Sequence, residues 1–204
     1  MHLFFLYIVI IFSAVFHEYA HAYTAYSLGD TTAKDEGRLT LNPIVHIDIM
    51  GTILIPLLLL FTSGIFLGWA KPVPYNPYAL SDHKYGSLKV AIAGPISNIF
   101  IAIVLGVFIR LAGAPLITSG LITASFIDLL SLIIYVNIIL AIFNLIPIPP
   151  LDGSKIAADL WPEYGRFVSN LGFIGIFVAL FIGFTFLAGI ANTIFYIITG
   201  SQFF

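Results

Sequence analysis

The chain has 204 residues, 60% of them hydrophobic and 9% charged, with a mean hydropathy of +1.06. Soluble domains carry about 25% charged residues, so this composition excludes a water-soluble globular protein and predicts an integral membrane one. A formal charge of −2 offers no basic surface to nucleic acid. The absence of cysteine excludes disulfides and thiolate metal ligands.

The first apolar run, residues 3–28, predicts a membrane-spanning helix that ends near Gly29-Asp30. No basic segment precedes it and it contains ionisable residues, so a retained span is expected rather than a cleaved leader. Leu3 to Phe16 carry no charge, and then His17-Glu18-Tyr19-Ala20-His21 follows. Positions four apart share a helix face, so His17 and His21 can hold one metal ion from the same side. Glu18, beside the first of them, can reach a water on that metal. This is the HExxH arrangement of zinc hydrolases. Inside a membrane span such groups are costly and usually functional; the bland alternative is a polar cluster that packs helices.

Residues 30–48 are polar, and Arg38–Leu41 suits a short strand before the Asn42-Pro43 turn. His46 and Asp48 read as loop residues at the membrane interface. Residues 49–67 are apolar, interrupted by Pro56 and Ser63-Gly64. The run Gly68 to Pro74 reads as extended, because each proline biases its predecessor toward β or polyproline geometry. Further spans are expected at 88–111 and 120–145, then at 166–187, with a shorter apolar piece at 188–200. An ion pair between Arg110 and Asp128 would join the 88–111 and 120–145 spans.

A catalytic zinc site usually has three protein ligands, and Asp152 is the candidate third. Pro147, Pro149 and Pro150 stop the helix before it, and Gly153 permits a sharp turn after it. An interfacial turn aspartate is the plain alternative; His46 or Asp48 would then be the next ligands to consider. Asn144 lies two turns after Asn137 on one face, where its amide can contact a substrate backbone or a developing oxyanion. Both asparagines can equally serve as interhelical hydrogen-bond glue. Gly94, Pro95 and Asn98 suit close helix packing.

His17-Glu18-Tyr19-Ala20-His21, Gly94-Pro95-Ile96-Ser97-Asn98, and Asn144 through Asp152-Gly153 occur in this order in an apolar chain. In this the chain resembles the site-2 proteases, which are intramembrane zinc metalloproteases. The resemblance implies one zinc ion per chain held by His17, His21 and Asp152, with Glu18 as general base and Asn144 as a substrate or oxyanion contact. It implies an endopeptidase that cuts a transmembrane helix of a membrane-protein substrate within the lipid bilayer. The fold expected is all-α and polytopic: four to six transmembrane helices, a re-entrant segment and short membrane-associated extended strands. One membrane-embedded protease domain would fill 1–204, with its core in 3–155 and C-terminal helices within 166–200. Other classes remain open: a metal-binding or metal-transporting membrane protein, or an inactive relative that binds helices without cutting.

Charge decides how the 49–67 segment is expected to run. If it dips and returns, Lys34, Arg38, Lys71, Lys84, Lys89, Lys155 and Arg166 share one side and Arg110 the other. If it crosses, the eight divide three against five. The positive-inside tendency favours the first, with the site opening toward the cytoplasm of a prokaryotic cell.

Overall fold

The computed structural model describes residues 2–63, 68–169 and 172–203. Residues 64–67 of the expected 49–67 segment, and 170–171 of the expected 166–187 span, lie outside them, as does the Ser63 side chain. The helices are α1 (His2–Ser27), α2 (Thr32–Asp35), α3 (Ile55–Ser63), α4 (Gly86–Phe108), α5 (Ala114–Thr118), α6 (Ala124–Asn144), α7 (Asp152–Leu160), α8 (Pro162–Ser169) and α9 (Gly172–Thr199). Among the described residues, four stretches are long and apolar enough to cross a membrane: Leu3–Ser27, Gly86–Thr118, Ala124–Asn144 and Ile174–Thr199. The protein is thus all-α and polytopic.

Local chemistry sets the ends of these helices. Gly29, at φ +101°, closes α1. Its N–H donates to the Tyr26 carbonyl and the Asp30 N–H to that of Ala25, the paired bonds of a glycine-terminated helix. The carboxylate of Asp30 then accepts from the Thr32 hydroxyl and N–H and from the Asn76 N–H. Burial pushes this carboxyl up, but these bonds to the charged form outweigh it and hold it below its ordinary value. Asp82, ahead of α4, is held down at about 2 by the Lys89 ammonium and the Tyr85 and Lys84 amides. Thr123 caps α6 by accepting from the Phe126 N–H.

The spans alternate in direction. Ser13 of α1 meets Asn98 and Asn137, while His17 and His21, further along, meet Asp152 beyond the end of α6. So α1 and α6 run parallel. α4 runs against α1, since His21 meets Val90 and Ser13 meets Asn98. α9 runs against α6: Tyr135 packs on Phe195, and Phe143 lies beside Gly183. The apolar core sits where α4, α6 and α9 meet, around Ala102, Ile134, Ile138, Ala191 and Phe195.

Several boundaries differ from expectation. Arg38–Leu41 is not a strand; it bends into the 3-10 turn Pro43–His46, and there are no strands among the described residues. Arg38 turns inward and His46 is buried rather than interfacial. Residues 69–74 form neither helix nor strand; the Trp69 and Lys71 amides bond Gly51 and His46, and Pro72 and Pro74 have none. A ladder needs alternating donors that this sequence lacks. α4 continues past 111 through a π-helical turn, Ile109–Gly113, into α5; Pro115 removes a rung there and the widened turn accommodates it. The C-terminal pieces expected at 166–187 and 188–200 are α8 and one long helix, α9. In lipid an uninterrupted helix satisfies its own backbone, so Gly189 does not break it. Arg110 donates to the Ile197 carbonyl, and no ion pair joins it to Asp128 among the described residues.

The Asp48 side chain caps the π-helical turn Ile49–Leu54 by accepting from the Gly51 N–H, and α3 follows. Trp69 returns to the same place, its N–H on the Gly51 carbonyl and its own carbonyl on the Thr52 hydroxyl. Gly68 lies against the Gly51 carbonyl and the Pro56 ring, so tightly that a Cβ there would come within 2.6 Å and 2.7 Å of them. Trp69 thus returns beside Gly51, and the Tyr7 hydroxyl, in the first third of α1, donates to the neighbouring Thr52 carbonyl.

Candidate metal centre

Ser13, His17 and His21 repeat every four residues on the inner face of α1, and all three are buried. The His17 Nδ1 lies 2.6 Å from Asn98 Oδ1, and His21 Nδ1 lies 2.7 Å from the Val90 carbonyl oxygen. Both partners accept only, so both Nδ1 atoms donate, and each ring in its neutral form presents a bare lone pair at Nε2. Asn98 is itself oriented: its Nδ2 donates to the Ser13 carbonyl and to Asn137 Oδ1. Asn137 in turn donates to Ser13 Oγ and the Ile133 carbonyl. Three spans thereby share one buried polar network that fixes the tautomer and angle of His17.

Asp152 opens α7, directly after the proline-rich break Pro147–Pro150. Its Oδ2 lies 3.1 Å from each histidine Nε2, and its Oδ1 accepts from the Lys155 ammonium at 3.1 Å. Gly153 serves close approach rather than a turn. It lies within the helix, where a Cβ would run into the Leu145 and Ile146 carbonyl oxygens. The break thus folds α7 back tightly enough to bring Asp152 to the histidines.

Two imidazole lone pairs and a carboxylate oxygen converge with no donor among them. Such a set repels itself unless a cation lies between. Tetrahedral zinc with arms of about 2.0 Å places neighbouring ligand atoms about 3.3 Å apart, close to the two histidine–aspartate distances, and all three ligand atoms lie within 4.8 Å of one another. His17, His21 and Asp152 therefore fit a metal ion; they form the one such cluster among the described residues.

Glu18 lines the same chamber, where its Oε2 accepts from the Val73 N–H at 2.8 Å. A cavity of about 270 Å³ opens in front of it, and one face of α1 from Tyr7 through Ala14 to His21 forms its floor. Asn144, half-buried, lines this cavity and donates to the Leu140 carbonyl. It reaches the chamber without joining the metal cluster. His46 lines the chamber too, but its Nε2 faces the Thr40 carbonyl, and Asp48 is spent on its cap.

Val90 and Lys155 are supports that sequence reasoning passed over, and Asn98, read there as a packing residue, is a third. Asn98 had a visible signal: it lies four residues after Gly94, the same interval that separates the histidines, so both face α1. The Val90 carbonyl has none, since any residue supplies one.

The model of the family described as Peptidase family M50 matches residues 5–190. A protein named "Putative zinc metalloprotease YwhC" from Bacillus subtilis is 40% identical over 185 residues, covering 87% of this chain and 80% of that one. "Putative zinc metalloprotease Rip2" from Mycolicibacterium smegmatis is 30% identical over 158 residues, 76% of this chain and 56% of that one; its namesake from Mycobacterium tuberculosis gives the same figures. No solved structure matches. With the family's model covering most of its length, this chain belongs to peptidase family M50.

Proposed function

We propose that the protein is a zinc-dependent intramembrane endopeptidase that cleaves transmembrane segments of membrane-protein substrates. The observation that carries this reading is the converging acceptor set of His17, His21 and Asp152, with Glu18 and an apolar cavity beside it, inside a four-span bundle. One zinc per chain would be held by those three residues. When bound, zinc acidifies water and polarises a carbonyl.

The remaining chemistry falls to the chain itself. Glu18 accepts a proton from the attacking water and returns it to the leaving amine. Asn144 keeps an amide hydrogen for a substrate carbonyl on the cavity wall. A substrate helix satisfies its own backbone bonds, so it must unwind locally before its carbonyl can reach the site. The face of α1 from Tyr7 to His21, about 21 Å long at about 1.5 Å per residue, would receive the apolar segment. The 69–74 segment contributes little as a pairing edge, because its Trp69, Lys71 and Val73 amides are already engaged.

Purified protein in proteoliposomes is expected to carry about one zinc per chain and to cleave a single-span reporter. Asp152→Ala is expected to hold zinc about 10³-fold or more weakly, through loss of a ligand, and to lose cleavage in step. Zinc held equally well by both proteins would remove Asp152 from the metal.

The site is read as opening to the cytoplasm of a prokaryotic cell. Seven of the eight Lys and Arg residues fall at the end where α1 stops, if the apolar helix Ile49–Leu59 is re-entrant. The meeting of Gly51 with Trp69 supports that path. In intact cells, an impermeant thiol reagent is expected to leave Lys71→Cys unlabelled until the membrane is opened. Labelling from outside would reverse the orientation.

A further inference from the structure

We infer that Arg38 is a positioning residue for Glu18, acting through the backbone of residues 71–73. This rests on the reading of Glu18 as the general base. Arg38 is buried although it lies in a polar loop. Its Nη1 donates to the Pro72 carbonyl at 3.0 Å and lies 3.4 Å from that of Lys71. The nearest carboxylate, on exposed Glu36, is 3.9 Å away. One guanidinium nitrogen, Nη1, thus faces two backbone carbonyls, and the next amide along, that of Val73, donates to Glu18 Oε2.

A buried guanidinium is costly unless its donors are used, and its Nη1 is aimed at one short segment. That segment cannot hold itself. Pro72 and Pro74 contribute no N–H, so between Lys71 and Tyr75 only Val73 can donate, and it donates to Glu18. Its other ties lie at its ends, Lys71 to the His46 carbonyl and Asn76 to Asp30. Arg38 fixes the middle. One carboxylate oxygen of Glu18 is then held by an amide that does not move, and the other is left for water. A glutamate free to rotate would have to be ordered in every turnover; here the order is built in.

The test uses the full chain in proteoliposomes, with zinc content, reporter kinetics and amide exchange at residue resolution. Arg38→Ala is expected to keep its zinc and the slow exchange of α4 and α6 amides. Its Val73 amide should exchange at least about tenfold faster than wild type, as should that of Glu18→Ala. Its kcat should fall about 10- to 100-fold with KM within about threefold, and added guanidinium should restore part of the rate. Val73→Pro deletes the donor and leaves Arg38 in place, so it reports even if Arg38→Ala fails to fold. It should lose as much kcat as Arg38→Ala, and the double variant little more. Wild-type kcat in either variant, multiplying losses in the double variant, zinc lost from Arg38→Ala, or a Val73 amide that exchanges as in wild type would each overturn the proposal. A wild type that holds zinc and cleaves nothing would overturn the protease reading instead, and the exchange comparison would still decide whether Arg38 holds Val73 against Glu18.

Discussion

Glu18→Gln is expected to lower kcat for a transmembrane reporter by about 10²- to 10⁴-fold while the protein keeps its zinc. Glutamine has nearly the shape of glutamate and retains an oxygen for the Val73 N–H, so the held conformation should survive. What it loses is the ability to take a proton and give it back. The three metal-cluster residues do not include Glu18, so zinc per chain should match wild type. Initial rates and metal analysis on one preparation check both halves. A rate within about threefold of wild type would place the base elsewhere.

Gly94→Ala is expected to weaken zinc binding by about 10- to 100-fold and to cost cleavage with it, the scale seen when residues around metal ligands are disturbed. A Cβ at this position would lie 2.6 Å from His17 Nε2 and Cε1 and press on His21 Nε2. Neither side can yield. The Val90 carbonyl and Asn98 tie α4 to the two imidazoles on either side of Gly94, and those rings are the proposed ligands. The helix itself is not at risk, because alanine is the better helix former by about 1 kcal/mol. A loss of zinc with α4 intact therefore separates crowding from unfolding. Zinc titration of the purified variant, with circular dichroism alongside, provides the check; wild-type affinity would mean that α4 can shift away.

The site was legible in the sequence where its chemistry depends on residue type and short spacing. His17, Glu18 and His21 lie within one turn of one helix, and Asp152 follows a break that only proline writes so plainly. The four spans were legible because lipid demands long apolar runs. Their ends were less so. The apolar run of α9 contains no stop that a helix must obey, which is why 188–200 reads as separate and is not. Arg38 was placed in a strand by local pattern, and tertiary demand for its guanidinium prevailed. Asn98 was read as packing because its value lies in one acceptor atom meeting one ring nitrogen, and that is a property of the α1–α4 contact.

The hydrogen bonds that join His17 and His21 to Asp152 span 135 and 131 residues of chain. At roughly 5–20 residues per second, a ribosome inserts the histidines into the membrane several seconds to half a minute before it makes the aspartate. During that interval α1, α4 and α6 enter a bilayer crowded with other nascent helices while the proposed third ligand does not yet exist. The order of synthesis thus leaves the proposed site incomplete until the first three of the four spans have been made.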